Sequence, residues 1–204
     1  MYKDITGILL AGGKSLRMGV NKSFLEYNGK YIIEHIHDKL KSLFEKVIII
    51  TNSPAEYEFL DSEMSEDIYK EKGPLGGIHT GLTCSTTDKN FIISCDVPLV
   101  SIELINYIIM QSGNAQITAV KADGHVQKLC GLYNKDCLNK IEDIIKDCHL
   151  NTDVQGKSKC MVSRLIDCSD SKIIHESEIP FSTKYQFLNL NKMEDFNILQ
   201  GMYK

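Results

Sequence analysis

The sequence predicts an α/β fold, a three-layer, Rossmann-like and mostly parallel sheet with helices on both faces. Mostly apolar segments rich in β-branched residues, at 5–10, 47–50 and 91–94, are typical of strands buried on both faces. Segments with apolar residues at helical spacing separate these runs through the first hundred residues. Alternation of this kind is typical of parallel strands joined by crossover helices.

The first half of the chain contains most of this regular alternation. Its predicted elements are a strand at 5–10, an extended piece at 24–27, a turn at 28–29, a helix at 32–44, a strand at 47–50, a short helix at 54–60, a short strand at 67–70, a glycine-rich connection at 73–77, a helix at 78–84 and a strand at 91–94.

The second half is less regular and adds antiparallel strands. Its predicted elements are a helix at 101–111, a strand at 117–120, a turn at 123–124, an antiparallel strand at 129–133, helices at 138–145 and 161–166, a strand at 187–191 and a helix at 193–199. Gly201 is a stop signal for the last helix.

Length and charge limit the classes of protein that fit. A chain of 204 residues favours one domain, given a prior of about 150 residues per domain. The balance of 23 Lys and Arg against 27 Asp and Glu gives a net charge of −4. This charge argues against broad binding to nucleic acid or to an anionic membrane surface. Any binding of phosphate must therefore come from a local cluster of cations.

Seven cysteines, an odd number without any C-x-x-C pair, favour a reducing compartment. We expect them to be thiols, mostly small buried hydrophobic residues. No apolar run approaches the roughly 18 residues of a membrane span, and the first residues do not resemble a cleaved signal sequence. The composition therefore predicts a cytoplasmic protein.

The segment 7–25 has the features of an anion-binding loop. An apolar strand leads directly into Ala11, Gly12 and Gly13, and cations follow at Arg17 and Lys22. Glycines let backbone N–H groups approach an anion closely, and the cations neutralise phosphate charge. Only two of the 23 cationic residues are arginines, and one of these two lies in this loop. The simpler alternative is a tight turn with surface lysines.

Polar and glycine-rich segments follow several predicted strands. Gly12 and Gly13 follow the first strand, Asn52 follows the second, and Asp96 follows the strand at 91–94, with a glycine-rich segment at 67–77. In open parallel sheets, ligands lie beyond the carboxyl ends of the strands. This convergence predicts one site of nucleotide size at that edge.

Two familiar phosphate motifs fail in this loop. A P-loop ends in Gly-Lys-Ser, as here at 13–15, but its first glycine would fall on Ile8. The dinucleotide fingerprint G-x-G-x-x-G has no match, because Gly12 and Gly13 are adjacent.

A complete match exists to another pattern, L-A-G-G-x-S-x-R-M-G-x-x-K, through residues 10–22. With this motif the chain resembles the MobA-like nucleotidyltransferases, and among them most of all the molybdenum cofactor guanylyltransferases. The resemblance continues in the family's order through Asn-Gly-Lys at 28–30, Gly-Pro-Leu-Gly-Gly at 73–77, Cys-Asp-Val-Pro at 95–98 and Asn-Leu-Asn at 189–191. It implies a nucleotide-diphospho-sugar transferase-like fold.

The resemblance also implies a reaction. A terminal phosphate of molybdopterin attacks the α-phosphate of GTP, pyrophosphate leaves, and the guanine dinucleotide cofactor forms. Gly12 and Gly13 would bind phosphates through their N–H groups, Arg17 and Lys22 would stabilise the transition state, and Asp96 would hold Mg²⁺.

Further roles follow from the resemblance for both halves of a single domain. In the nucleotide half, about 1–100, Leu10, Asn52 and Asp67 would contact guanosine beside Ala11, with Glu66 and Glu71 as neighbouring alternatives to Asp67. In the acceptor half, about 101–204, Asn189 and Asn191 would contact the pterin. The usual Thr-Pro after this motif is here Lys-Met.

Several alternatives stay open at this point. The base could be cytosine, and the acceptor a cobinamide phosphate or a sugar phosphate. A non-catalytic carrier of nucleotide or cofactor would need the glycine loop but would have little use for Arg17, Lys22 and Asp96 together. Asp96 could instead cap the helix that begins near Ser101. The resemblance implies as protein partners those that insert molybdenum and the chaperones of molybdoenzymes.

Overall fold

Strands and helices alternate along residues 1–12, 21–150, 160–190 and 193–201, which a computed structural model describes. The strands are β1 (Tyr2–Leu10), β2 (Glu26–Tyr27), β3 (Lys30–Tyr31), β4 (Phe44–Ile50), β5 (Glu63–Ser65), β6 (Lys89–Ser94), β7 (Ile117–Ala122), β8 (His125–Asn134) and β9 (Ser171–His175). The helices are α1 (Ile32–Leu43), α2 (Pro74–Cys84), α3 (Ile102–Gln111), α4 (Leu138–Leu150), α5 (Val162–Cys168) and α6 (Met193–Gly201).

Seven of the described strands form one sheet in the order β5-β4-β1-β6-β8-β7-β9. Strands β5, β4, β1 and β6 are parallel, β8 is antiparallel to both its neighbours, and β9 pairs in parallel with β7. A separate hairpin joins β2 and β3. The prediction of a mostly parallel sheet with antiparallel additions in the second half is confirmed.

The side chains of β1 divide the core between the two faces of the sheet. Ile5 and Leu9 pack in one cluster with apolar residues of α1 and α3. Ile8 and Leu10 pack on the opposite face with residues of α2, α4 and α5. Both faces of β1 are therefore covered, which explains why its second half ends in the apolar run at 8–10 and confirms the three-layer prediction.

Three predicted elements differ from the structure. The predicted strand at 67–70 is wrong, because the edge strand is β5, whose Glu63 pairs with Ile48 of β4. The connection at 73–77 already belongs to α2, since Gly73 adopts a φ of 58° and Pro74 begins the helix. No strand forms at 187–190, because residue 187 ends a turn and residues 188–190 have no regular secondary structure; residue 191 lies outside the described residues.

Two features were not predicted. Strand β9 is a short, largely exposed edge strand with Ser171 and Lys172 at its start, so its sequence lacks an apolar run. Cys148 and Cys160 are paired in a disulfide with a Cα–Cα distance of 5.7 Å. The prediction of seven thiols is therefore wrong for these two residues. Within the described residues, every helix is too short or too polar to cross a lipid bilayer.

We predict that Gly81→Ala destabilises the fold. A Cβ on Gly81 of α2 would lie 2.7 Å from Cγ2 and 3.0 Å from Cδ1 of Ile8, which is fully buried in β1. The helix and the strand lie too close to accept this methyl group without a shift. The substitution should therefore lower the unfolding free energy by about 1–3 kcal/mol, as measured by urea denaturation. Gly201→Ala is the control, because no heavy atom lies within 4 Å of a Cβ there. Equal unfolding free energies for wild type and Gly81→Ala would contradict the prediction.

Candidate functional site

The predicted site begins at the carboxyl ends of β4, β1 and β6. Leu10, the last residue of β1, pairs with Ile50 of β4 and with Ser94 of β6, so the three strands end at the same level. Backbone bonds continue beyond the strands, from Ala11 N to Ile50 O at 2.9 Å and from Cys95 N to Leu10 O at 3.1 Å. The segments that carry Gly12, Asn52 and Asp96 therefore start side by side.

Asn52 and Asp67 hold each other on the β4 side of this edge. Asn52 Nδ2 donates to Asp67 Oδ2 at 2.7 Å, and the backbone N–H of Asp67 donates to Asn52 Oδ1 at 3.2 Å. Glu66 lies instead 2.5 Å from the ammonium group of Lys70. The carboxylate that meets Asn52 is therefore that of Asp67.

The first turn of α2 closes this corner of the site. A Cβ on Gly77 would lie 3.3 Å from Leu10 Cδ2 and 3.6 Å from Asp67 Oδ1. The glycine thus leaves space between an apolar side chain and a carboxylate. Leu10 is buried and Asp67 is half-buried, so the corner offers one apolar wall and one acceptor of hydrogen bonds.

Lys22 lies on a short 3₁₀ helix that is held at its start. Asn21 caps this helix, since its Oδ1 accepts from Ser23 N at 3.2 Å. The ring of Phe24 stacks on Tyr57 with 5.1 Å between centroids. Among the described residues, none makes a hydrogen bond or an ion pair with the ammonium group of Lys22. The backbone of Lys22 is therefore fixed while its charge stays available.

Asp96 lies in a connection that other residues hold in place. Its backbone oxygen accepts from Leu190 N at 2.9 Å. Lys39 Nζ, whose pKa is lowered by burial, donates to Pro98 O at 2.6 Å and to Val100 O at 3.0 Å. In the part of the chain that the structure describes, the carboxylate of Asp96 has no hydrogen-bond or salt-bridge partner.

Asp96 is not the cap of α3. That role belongs to Ser101, whose Oγ accepts from Leu104 N at 3.1 Å. The alternative of a purely structural cap for Asp96 is therefore wrong.

Two thiols lie near Asp96, the half-buried Cys95 and the buried Cys130. Burial, followed by the charge of Asp96, raises the pKa of Cys95 to about 11 and that of Cys130 to about 12. Both groups are therefore neutral thiols near pH 7 and weak nucleophiles.

A cavity of about 620 Å³ lies at the carboxyl ends of β7 and β9. Aromatic and polar residues share its wall, namely Asp123, Glu176, Phe181, Tyr185, Phe187 and Asn189. Glu176 organises this wall, because its carboxylate accepts from the Thr183 hydroxyl and from the backbone N–H of Asp123 at 3.5 Å. Asn189 precedes Leu190, which bonds to Asp96, so the cavity wall is joined to the end of β6.

The structure brings most of the predicted residues to this edge. Leu10, Ala11, Gly12, Lys22, Asn52, Asp67, Asp96 and Asn189 are described; Gly13, Arg17 and Asn191 lie outside the described residues. Tyr57, Lys39 and Glu176 also support this edge and were not predicted. These residues carry no local motif, and only their tertiary contacts connect them to the site.

This is an open sheet with a glycine, a lysine and carboxylates beyond the carboxyl ends of its strands. Such an arrangement defines a nucleotide-binding α/β protein. Residues 7–161 match the family model of the MobA-like NTP transferase domain, and the chain belongs to this family.

Relatives support this assignment over nearly the whole chain. A molybdenum cofactor guanylyltransferase of Syntrophotalea carbinolica is 30% identical over 195 residues, which cover 94% of this chain and 88% of that protein. A solved structure from Aquifex aeolicus is 28% identical, with a TM-score of 0.74 and coverage of 92% and 93%. The fold is also that of molybdopterin-guanine dinucleotide biosynthesis protein A from Archaeoglobus fulgidus, at a TM-score of 0.77, 19% identity and 97% coverage of each chain.

We predict that the buried thiol of Cys130, near Asp96, reacts with an alkylating reagent much more slowly than the exposed thiol of Cys168. Because the pKa of Cys130 is about 12, only about one thiol in ten thousand is ionised at pH 8, and the group is also buried. Iodoacetamide should modify Cys130 at least about 100-fold more slowly than exposed Cys168, as followed by mass spectrometry. The protein unfolded in urea is the control, where both should react alike. Equal rates in the native protein would contradict the assignment.

Proposed function

We propose that this chain transfers GMP from GTP to the terminal phosphate of molybdopterin, with release of pyrophosphate. The observation that carries the proposal is the position of Asp96 at the end of β6. The Asn52–Asp67 pair lies on the β4 side of the sheet edge, and the cavity lies at the ends of β7 and β9. Two substrates can therefore approach one carboxylate from opposite sides. The guanylyltransferase relative that spans nearly the whole chain supports the choice of substrates.

The reaction needs no nucleophile from the protein. A phosphate oxygen of the acceptor forms a bond to the α-phosphorus of GTP, and the bond from that phosphorus to the oxygen bridging the β-phosphate breaks. The protein must place two anions against each other and neutralise the charge that develops. In our proposal the N–H groups of Gly12 and Gly13 bind phosphate, and Arg17 and Lys22 stabilise the developing charge.

The corner at Leu10 and Asp67 suits guanine better than cytosine. A carboxylate only accepts hydrogen bonds, and guanine presents two adjacent donors, its ring N–H and its amino group. Cytosine presents one amino donor beside a ring acceptor. We propose that Asp67, held by Asn52, accepts from guanine while Leu10 and Ala11 pack beside the nucleoside.

Mg²⁺ fits the donor set at Asp96. Among the described residues no three His, Cys, Asp or Glu side chains lie together, so no closed metal cage is present there. A single half-buried carboxylate without a described partner matches the usual binding of Mg²⁺ by one or two carboxylates together with substrate phosphates. When bound, the ion would neutralise charge on the phosphates and orient them.

The cavity at the ends of β7 and β9 is our proposed acceptor site. Its aromatic walls suit a planar pterin, and Asn189 and Asn191 would donate and accept hydrogen bonds at its edge toward Asp96. Residues 1–100 and 101–204 would thus be the nucleotide and acceptor halves of one domain. We further propose a cytoplasmic location, with molybdenum-insertion proteins and molybdoenzyme chaperones as partners.

The release of pyrophosphate tests this function directly. GTP and Mg²⁺ are supplied with molybdopterin, cobinamide phosphate or a sugar phosphate in separate reactions, and CTP replaces GTP in a parallel set. We expect turnover only with GTP and molybdopterin. Turnover with another acceptor or with CTP would assign a different transferase of the same family. Binding of nucleotide without turnover on any acceptor would favour the carrier.

We predict that Lys22→Ala lowers the rate of pyrophosphate release by at least about 100-fold, the usual effect of removing one group that stabilises transition-state charge. The protein should stay folded, because the ammonium group makes no contact with the described part of the fold. Lys3→Ala is the matched control, since Lys3 is an exposed cation at the opposite end of β1. If Lys22→Ala and Lys3→Ala kept equal rates, the lysine would have no part in the reaction.

A further inference from the structure

The sulfur of Cys95 accepts a hydrogen bond from the segment that carries Lys22. Ser23 Oγ donates to Cys95 Sγ at 3.3 Å. Ser23 follows Lys22 on the same 3₁₀ helix, and Cys95 precedes Asp96. One contact therefore joins the segment of the proposed catalytic lysine to that of the proposed metal ligand.

Tyr57 supports this contact from a third segment. Its hydroxyl lies 3.5 Å from Ser23 Oγ and accepts from Asn21 Nδ2 at 3.1 Å, and its ring stacks on Phe24. Tyr57 and Ser23 are each only 2% exposed. Tyr57 belongs to the connection after β4, so the network joins segments that follow β1, β4 and β6.

We propose that Cys95 is a positioning residue, whose sulfur, through its contact with Ser23, sets the distance between Lys22 and Asp96. This inference rests on the function proposed above, because Lys22 and Asp96 there act on the phosphates of one GTP molecule. In-line transfer is sensitive to such spacing, since a displacement of about 1 Å can cost about 100-fold in rate. Neither Cys95 nor Ser23 needs to touch a substrate.

The competing interpretation is that Cys95 is only a small residue that fills space. The two interpretations differ in what the sulfur does, since packing requires only volume whereas positioning requires an acceptor of hydrogen bonds. Cys95→Ala removes the acceptor, and Cys95→Ser restores an acceptor at a similar place. Cys137→Ala deletes a more deeply buried thiol at the opposite ends of the strands, where Asn134 at the end of β8 pairs with Lys89, so it controls for the loss of packing.

The kinetic experiment compares these variants by pyrophosphate release from GTP with molybdopterin. For Cys95→Ala we expect kcat to fall about 10- to 100-fold with KM for GTP changed less than about threefold. Cys95→Ser should recover at least about tenfold of this loss, while Cys137→Ala should keep the wild-type kcat. Equal kcat for Cys95→Ala and Cys137→Ala, or no recovery in Cys95→Ser, would overturn the proposal.

A binding experiment tests the same proposal without turnover. Calorimetry gives the affinity for GTP with and without Mg²⁺, and the ratio of the two affinities measures the coupling between the segment of Lys22 and the carboxylate of Asp96. We expect Cys95→Ala to reduce this ratio about tenfold, with affinity for GTP alone nearly unchanged. Ser23→Ala should act in the same direction, and the double variant should be no worse than Cys95→Ala, because both changes remove one contact. An unchanged ratio would overturn the proposal.

The two proposals fail in different ways. A wild-type protein that binds GTP but shows no turnover with molybdopterin would contradict the proposed function, and the calorimetric ratio would still decide the role of Cys95. A wild-type protein that turns over while Cys95→Ala keeps both its kcat and its ratio would contradict the positioning role alone.

Discussion

The parallel pairing of β1 between β4 and β6 is the constraint on which the rest of the site depends. Leu10 pairs with Ile50 on one side and with Ser94 on the other, so three strands end at one level. A shift of one residue in either pairing would turn the side chains of β1 toward the wrong faces of the sheet. The burial of Ile8 and Leu9 on opposite faces opposes such a shift. The hydrophobic core therefore also fixes where the polar segments begin.

Beyond these strand ends, the protein concentrates charge and polar groups that its overall composition does not supply. The net charge is −4, yet the edge carries Lys22 and, by sequence, Arg17 close to it. Asp96 lies between the Asn52–Asp67 pair and the cavity lined by Asn189. The bond from Leu190 N to Asp96 O joins the two halves of the chain at this point. The position of a single carboxylate thus connects the core to the proposed chemistry.

The strands that were predicted correctly from the sequence are those on which burial imposes an apolar pattern. Central strands such as β1 and β6 are covered on both faces and read as apolar runs, so they were predicted correctly. The edge strands β5 and β9 are partly exposed and carry polar residues such as Glu63 and Lys172, so β5 was misplaced and β9 was missed. The disulfide between Cys148 and Cys160 has no local motif and was also missed.

The site residues divide in the same way, into those that a local motif predicts and those that only tertiary contacts bring to the site. The motif at 10–22 and the segment at 95–98 predicted sites at the sheet edge, and of these residues the structure places Leu10, Gly12, Lys22 and Asp96 in the segments that follow β1 and β6. The structure also identified Asp67, not Glu66, as the partner of Asn52. The bond from Ser23 to Cys95 joins residues that are more than seventy positions apart along the chain. Contacts over such separations follow from the fold and have no signal in any short stretch of sequence.

The central claim is that GMP, and not a terminal phosphoryl group, passes to an acceptor held on the far side of Asp96. Parallel reactions with GTP labelled at the α-phosphate or at the γ-phosphate, each with molybdopterin and Mg²⁺, test it most directly. We predict that the α-label appears in a product containing both pterin and guanine and that the γ-label appears only in pyrophosphate. Transfer of the γ-label to the pterin, or recovery of the α-label as free nucleotide only, would contradict the account.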